Sequence, residues 1–487
     1  MKKILIIALI IWLSGNALLA VNGRIDDLGD RYLLHVWGTH YERGQAMGYL
    51  MGEQIMAVFR EYFFASAMSN SPAIYNSYLQ YYQNHFVVDA RYLQEVQGII
   101  TGMQESGTDM YHQGLGRDLN VSDLLFVNAV VDLATGQIAC SSLSSWGNAT
   151  LSDPDLQGKL QITRLLDWTR SQTLINNSVL TVHHPSEVDE MPWLSFGYPG
   201  LIGALSAINE AQAAVFLNVG NAHPNVDDDE LSTVLLDLRS GIERRDFNGD
   251  GLYSTEDVFS ALFTGNHLSG SIIHNVQEWP DSSRAYIVET NNTGTVRRGQ
   301  AENSGIAGDN LAATNHFRLL TDAAYCGRYA RIADSLAVSD KVDMPRQWQI
   351  MKGAGGVSSN LMMIQYIPSQ NALLWANATP YYAAYTQEPQ YFALDELFTQ
   401  PTHNLDDTHI QTPELALYPN PLTQDAVLKD SSCAQLKRVR IYNLRGQLLY
   451  DEAYLPSAKS LGSSGIYYVH SEDIKGSKYR NKIVYCK

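Results

Sequence analysis

The texture of this chain changes at residue 140, and that change limits the folds open to it. Before it, the patterning is helical. Residues 41–66, "YERGQAMGYLMGEQIMAVFREYFFAS", and residues 90–106 carry helical spacing. After it come short runs rich in β-formers, separated by turn residues: "KLQITRLLDW", "SVLTVHH", "AAVFLNVG", "AYIVETN" and "LMMIQYI". Helical segments return at 256–263 and 326–337. The mixture predicts an α+β fold in which helices cover sheets. It also predicts a mostly helical segment over 21–139 and a sheet-rich region over 140–400.

Gly44, Gly48 and Gly52 fall on one helical face. In a lipid-facing segment this would signal helix dimerisation. Glu42, Arg43, Glu53 and Arg60 exclude a membrane here, so the stripe predicts close packing against a sheet or another helix. The net charge is −17, with no clustered Lys and Arg, which argues against nucleic acid as a partner. Residues 1–20, "MKKILIIALIIWLSGNALLA", read as an export signal: Lys2 and Lys3, then an apolar core from Ile4 to Leu13 too short to span a bilayer, then Ala20 at the cut. No later segment is apolar for long enough to cross as a helix. The expected location is therefore outside the cell or on its surface.

From Pro401 the polar, unpatterned stretch "QPTHNLDDTHIQTPE" predicts a linker over 401–414. Beyond it, 415–487 shows short alternating strands with Asn-Pro, Arg-Gly and Ser-Gly turns, which predicts a small all-β sandwich.

One motif stands on spacing alone. Asp246, Asn248, Asp250, Ser254 and Asp257 place side-chain oxygens at positions 1, 3, 5, 9 and 12 of a loop, with Gly251 at position 6 and the Leu252 carbonyl at 7. A hard cation needs several oxygens at once, and "TEDVFSAL" begins a helix where such a loop should end. Asp rather than Glu at position 12 makes the loop resemble the dockerin type. The expectation is a structural Ca2+ site, weighed against an acidic turn that binds nothing.

The chain has four cysteines. Export permits disulfides, and Cys433 with Cys486 is one candidate pair, but four cysteines allow three connectivities. Cys140 and Cys326 lack the CxxC spacing of zinc or redox motifs. A lone cysteine is usually a small buried hydrophobe. Three features favour a nucleophile at Cys140. "CSSLSSWGN" is too polar for a core strand. "LQITRLLDW" follows at hairpin distance and brings Arg164 and Asp167, charged neighbours able to set a thiolate population. Asparagines and an arginine recur downstream at strand ends: Asn218, Asn315 and Arg328. By residue type alone, Arg164 with Asp167 is an ion pair. Asn218, Asn291 and Asn315 are turn caps, and Asn291 competes with Asn315. For His316 a ligand or base is weighed against a hydrogen-bonded structural histidine, which is favoured, and the pair His183–His184, which lacks metal spacing, reads as a surface feature.

Taken in order, "GTHYERGQAMG", "CSSLSSWGNAT…LQITRLLDW", "LIGALSAINEAQAAVFLN", "ATNHF" and "GRYARI" resemble the autoproteolytic acyltransferase/hydrolase family of penicillin acyltransferases. These are N-terminal nucleophile (Ntn) hydrolases, related to the choloylglycine hydrolases. The resemblance covers residues 35–395 and implies a four-layer αββα sandwich. It implies scission before Cys140, whose freed α-amine then serves as general base. Such an amine has a pKa of about 7.7–8.0 against about 8.5 for the thiol, so no histidine is required. It assigns Asp167 to hold the α-amine, Arg164 to tune the thiolate and Asn218 to help form the oxyanion hole, and Asn315 matches the family's second asparagine. Arg328 matches the arginine of a related SRF-x-R pattern, with Gly327 where that pattern has serine. The implied substrate is a small linear N-acyl amide. Rival readings are a phospholipase-B-like or ceramidase-like lipid acyl hydrolase, and a non-catalytic calcium-bound surface protein.

The C-terminal module, through "LYPNP", "VRIYNLRGQLLYDEA", "LGSSGIYYVH" and "NKIVYCK", resembles the sorting domain of type IX secretion. That resemblance implies secretion machinery as a partner and passage through periplasm and outer membrane.

Overall fold

The computed structural model describes residues 21–133, 139–220, 230–279, 282–302, 305–355 and 359–401. In the C-terminal part it describes 417–418, 422–423, 427, 429–430, 436–443, 448–461, 463–473 and 478–486. The expected export signal, Cys433 and all of the expected linker except Pro401 lie outside the described residues. The chain forms two compact units, Met1–Pro401 and Thr402–Lys487.

In the first unit, β1 (Gly23–Asp27) and β2 (Tyr32–Gly38) precede the helices. A small hairpin, β3 (Tyr111–His112) and β4 (Arg117–Asp118), follows the helix Ala90–Glu105. Then come β5 (Ala139–Ser145), β6 (Gln161–Asp167), β7 (Val179–Pro185), β8 (Trp193–Gly197), β9 (Ser206–Asn209), β10 (Ala213–Val219), β11 (Ser271–Trp279), β12 (Ser282–Asn291), β13 (Gly294–Arg298), β14 (Asn310–Ala313), β15 (Asn360–Ile367), β16 (Ala372–Asn377) and β17 (Gln390–Ala393). They build a nine-stranded sheet, β1-β2-β7-β8-β9-β10-β11-β12-β13, and a six-stranded sheet, β14-β5-β6-β15-β16-β17. Neighbours are antiparallel except β2 and β7, which run parallel. The N-terminal segment is thus less purely helical than its pattern predicts: residues 23–38 supply one end of the large sheet, because β2 finds its partner far along the chain.

The helix His40–Ala57 starts at a capping box, where the Thr39 side chain accepts the Glu42 N–H and Glu42 reaches back to the Thr39 backbone. It continues into a π-helical stretch, Val58–Ala67. The glycine stripe has its partner in the helix Ala90–Glu105. A Cβ on Gly44 would stand 1.9 Å from the Glu95 carbonyl oxygen, and one on Gly98 2.1 Å from that of Tyr41. The two backbones touch directly, which only glycine allows. The helices expected near 256–263 and 326–337 run over Thr255–Thr264 and Gly327–Val338.

The two sheets face each other through β5 and β10. The helix Val234–Glu243 packs on β9 and β10, and the helix Met344–Gly355 packs on β5 and β6. Side chains of β5 alternate accordingly. Ser142 and Ser144 meet His274 of β11, while Ser145 meets Gln347 of the covering helix. This corrects the reading of "CSSLSSW" as too polar for a core strand: all its residues from Cys140 to Ser145 are buried. The hydroxyls are tolerated because they are bonded. Oγ of Ser142 and Ser144 lie 2.8 Å from the two ring nitrogens of His274. An unpaired buried hydroxyl would cost about 1–3 kcal/mol.

His183 and His184 are also interior rather than superficial. They lie on β7, where His183 stacks on Trp193 with centroids 4.1 Å apart and His184 lies 3.2 Å from His35. Burial holds His35 and His184 down near pKa 4. A second buried group ties the helices His40–Ala57, Ala90–Glu105 and Val234–Glu243 to one another and to the β7–β8 connection. His40 sits between Glu95 (2.7 Å) and Glu190 (2.8 Å), Arg43 pairs with Glu190, and Arg239 pairs with Glu95 and Glu243. Burial opposes protonation of His40, yet the two carboxylates prevail and lift its pKa to about 9. His40, Glu190 and Glu243 bring ligand-type atoms within 4.8 Å of one another, but the two arginines already balance this charge.

The C-terminal unit contains a five-stranded sheet and a two-stranded sheet, closed on a small core that includes Leu422, Val439, Ile441, Val469 and Ile483. No helix among the described residues is long and apolar enough to cross a membrane.

Candidate active site

Cys140 is the second residue of β5, paired with Leu166 of β6, and its side chain is fully buried. Hairpin pairing therefore sets Arg164 and Asp167 beside it. Arg164 Nη2 lies 3.5 Å from Cys140 Sγ and donates to the Leu217 carbonyl at 2.9 Å. Asp167 pairs with Ala139, across from the bond that precedes Cys140.

Two distant residues close on the backbone of Cys140. Asn315 Oδ1 accepts the Cys140 N–H at 2.7 Å, while its amide donates to the Val219 carbonyl at 2.6 Å. Arg328, in the first turn of the helix Gly327–Val338, donates to the Cys140 carbonyl, to Ser141 Oγ (2.8 Å) and to Asn315 Oδ1 (2.6 Å). It also stands 3.5 Å from Asp167 Oδ2. Four of the other five residues expected to be catalytic thus converge on Cys140.

Asn218 is the exception. It lies on β10 in the same interior but donates to Ser142 Oγ (3.4 Å) and the Ile272 carbonyl (3.3 Å), not to Cys140. Between the rival asparagines, geometry separates clearly. Asn291 accepts the N–H and hydroxyl of Thr293 in the β12–β13 turn, whereas Asn315 bonds Cys140. His316 is half-buried, and its Nδ1 has no hydrogen bond among the described residues. Burial, then Arg318 and Arg328, lowers its pKa.

Burial dominates the electrostatics. It pushes the Cys140 thiol up, with Arg164 and Arg328 pulling back and Asp167 adding to the rise. It lifts Asp167 to about 6 against the pull of Arg328, the Asn360 hydrogen bond and Arg164. Several buried polar atoms here have no hydrogen-bond partner among the described residues: Nε and Nη1 of Arg164, Oδ2 of Asp167, Oδ1 of Asn218 and the Tyr198 hydroxyl. Such atoms are costly in a finished core and suit a site that acts on something else. A buried thiol held by one cation, beside an amide nitrogen held by an asparagine, can carry acyl transfer.

Sequence reading missed Ser142, His274 and Asn360. The Ser-x-Ser alternation in β5 was the available signal for the first. His274 and Asn360 sit in strands whose patterns show no chemistry.

The acidic loop 246–257 turns back on itself through its own side chains. Gly251, at φ +81°, makes the sharp turn. Asp246 Oδ2 accepts from the Gly251 N–H (3.0 Å), Asn248 Oδ1 from Asp250 (2.9 Å) and Asp250 Oδ1 from Leu252 (2.8 Å). Asp257 takes the N–H groups of Phe247, Asn248 and Ser254, and with Ser254 caps the helix Thr255–Thr264. Asp246 Oδ1 is buried with no hydrogen bond among the described residues. That open oxygen, in an all-oxygen donor set, fits a hard cation.

No family model matches the sequence. Among curated proteins the chain is similar to Protein dcd1B of Dictyostelium discoideum, 25% identical over 205 residues, or 39% of this chain and 39% of that protein. The match therefore spans well under half of that relative. Among solved structures it is similar to a Caenorhabditis elegans N-acylethanolamine-hydrolyzing acid amidase ortholog, at 13% identity and TM-score 0.35 over 52% of this chain and 100% of that one. It is also similar to a mutant of conjugated bile acid hydrolase from Clostridium perfringens, at 11% identity and TM-score 0.30 over 52% of this chain and 93% of that one.

Proposed function

We propose that the chain is a self-cleaving N-terminal-nucleophile amide hydrolase whose nucleophile is Cys140. The observation that carries this reading is the double hold on one residue: Arg164 on its sulfur, and Asn315 on its backbone nitrogen. A merely structural cysteine needs neither.

In self-scission, Cys140 Sγ attacks the Ala139 carbonyl carbon. The C–N bond breaks, its nitrogen takes the thiol proton, and a thioester remains. Water cleaves the thioester, leaving a carboxylate on Ala139 and a free thiol and amine on Cys140. In catalysis that amine accepts the thiol proton, with Asp167 as its counter-charge and Asn315 as its hydrogen-bond partner. The thiolate attacks the acyl carbon of a linear N-acyl amide. The leaving amine receives the proton, and water releases the acid from the acyl-enzyme. Burial raises the thiol pKa, so proton transfer to the adjacent amine, rather than bulk ionisation, supplies the nucleophile. In a watery exterior, hydrolysis is favoured over transfer to another amine.

The packing of helices on both sheets supports the four-layer αββα arrangement. We further propose a structural Ca2+ in the loop 246–257, which would be held by Asp246, Asn248, Asp250, the Leu252 carbonyl, Ser254 and Asp257, and which would clamp the entry to the helix that follows. The C-terminal strands suit a β-sandwich that addresses the protein to type IX secretion and the cell surface. N-terminal sequencing of the purified, active protein tests the main reading. A fragment beginning Cys-Ser-Ser-Leu is expected. A continuous chain with full amidase activity sinks it.

A further inference from the structure

Asn360 opens β15 beside the site, fully buried and paired with Asp167 at a register shift between Asn360 and Met362. A bulge of this kind re-aims a side chain. Its amide Nδ2 donates to Asp167 Oδ1 at 2.9 Å, and also to the carbonyls of Met362 (3.0 Å) and Leu166 (3.2 Å). Its Oδ1 accepts the Tyr385 N–H at 2.9 Å. Both ends of the amide are therefore fixed, so the side chain cannot flip without losing bonds at each end. Asp167 Oδ1 is occupied, while Oδ2 accepts no hydrogen bond from the described residues and faces Arg328.

We infer that Asn360 is a positioning residue: it pins one oxygen of Asp167 and so presents the other to the α-amine that scission creates on Cys140. This rests on the proposed self-cleaving reading. The charged and titratable groups around Asp167 are Arg328, Arg164 and the Cys140 thiol. Burial raises the Asp167 pKa, and Asn360 is one of the groups holding it down. Removing the donor lets it rise further, since a hydrogen bond to the charged form favours that form.

The test follows two rates against pH in the full chain: self-scission, read by intact mass, and hydrolysis of a fluorogenic N-acyl arylamide by the cut enzyme. Asn360→Ala should move the acidic limb of kcat/KM upward by about half to one pH unit and lower kcat with little change in KM. Asn360→Asp keeps the side-chain size, guards against a folding failure and sets a second carboxylate against Asp167. It should move the limb further. A structural role alone would lower the melting temperature and the active fraction but leave the limb where it is, and that result overturns the inference. If the wild type is cut and active while both variants keep its pH profile, only the role of Asn360 falls. If the wild type is active without being cut, the self-cleaving reading falls first.

Discussion

Asn315 Oδ1 lies 2.7 Å from the backbone nitrogen of Cys140, a residue 175 positions earlier in the chain. Before scission that nitrogen is an amide donor, and afterwards it would be the general base. One acceptor thus serves both chemical states, and Arg328 holds that acceptor in place from 2.6 Å.

Removing the acceptor should slow both reactions. Asn315→Ala is expected to leave most of the chain uncut and to lower the turnover of the cut fraction by about 100-fold, the loss typical of one preorganised polar group at a reacting centre. Band ratios on a denaturing gel and single-turnover kinetics check it. Cys140→Ala should give only continuous chain.

Activity should climb with pH through about 6. Asp167 must be ionised to balance an ammonium, and burial lifts its pKa to about 6. The sign for stability is the reverse. A carboxyl whose folded pKa exceeds its unfolded value of 3.8 binds more protons when folded, so its contribution falls as pH rises from about 4 to about 6. Asp167→Asn should flatten that slope in pH-dependent unfolding while abolishing turnover.

His40 gives the opposite window. Its folded pKa of about 9 exceeds the ordinary histidine value of 6.5, so its stabilisation is complete below pH 6.5 and fades as pH rises through about 9. His40→Ala takes from Glu95 and Glu190 the histidine they share from two sides, leaving Glu95 to Arg239 and Glu190 to Arg43. Breaking one partner of a buried ionic group costs about 3–5 kcal/mol. Urea unfolding at neutral and alkaline pH should show a large loss in the variant and a pH dependence that it no longer shares.

Gly44→Ala should be among the most damaging conservative changes in the protein. Its new methyl would meet a backbone carbonyl at 1.9 Å, and a carbonyl held in a helix cannot swing aside. A loss of more than about 3 kcal/mol is expected, against about 1 kcal/mol gained in helix propensity. The melting temperature reads it. Gly353→Ala, which meets nothing within 4 Å, is the control.

Chelation should lower the melting temperature, and calcium should restore it. At 100 times its dissociation constant, a bound ion adds about 2.7 kcal/mol. Asp246→Ala, which removes the open oxygen, should abolish the response and leave the scission before Cys140 intact.

Much of the frame was legible in the sequence because it is written locally. Helical periodicity marked the segments that became His40–Ala57, Ala90–Glu105 and Gly327–Val338. A hairpin's spacing put Arg164 and Asp167 beside Cys140, since antiparallel pairing of adjacent strands is a short-range event. The turn of the acidic loop at Gly251 likewise depends only on residue types at fixed offsets. The glycine stripe announced a close contact but not its partner.

Tertiary structure alone decided the rest. It buried the serines of β5 by supplying His274 and Gln347 from other elements, which no count of polar residues in the strand could anticipate. It brought Asn315 and Arg328 to Cys140, kept Asn218 on Ser142 instead, and set Asn360 on Asp167. The physical reason is that a residue's type and its neighbours in sequence govern local backbone preference. Which polar atoms meet across 175 or 188 residues depends instead on the register and facing of two whole sheets, settled by burial of the core they share.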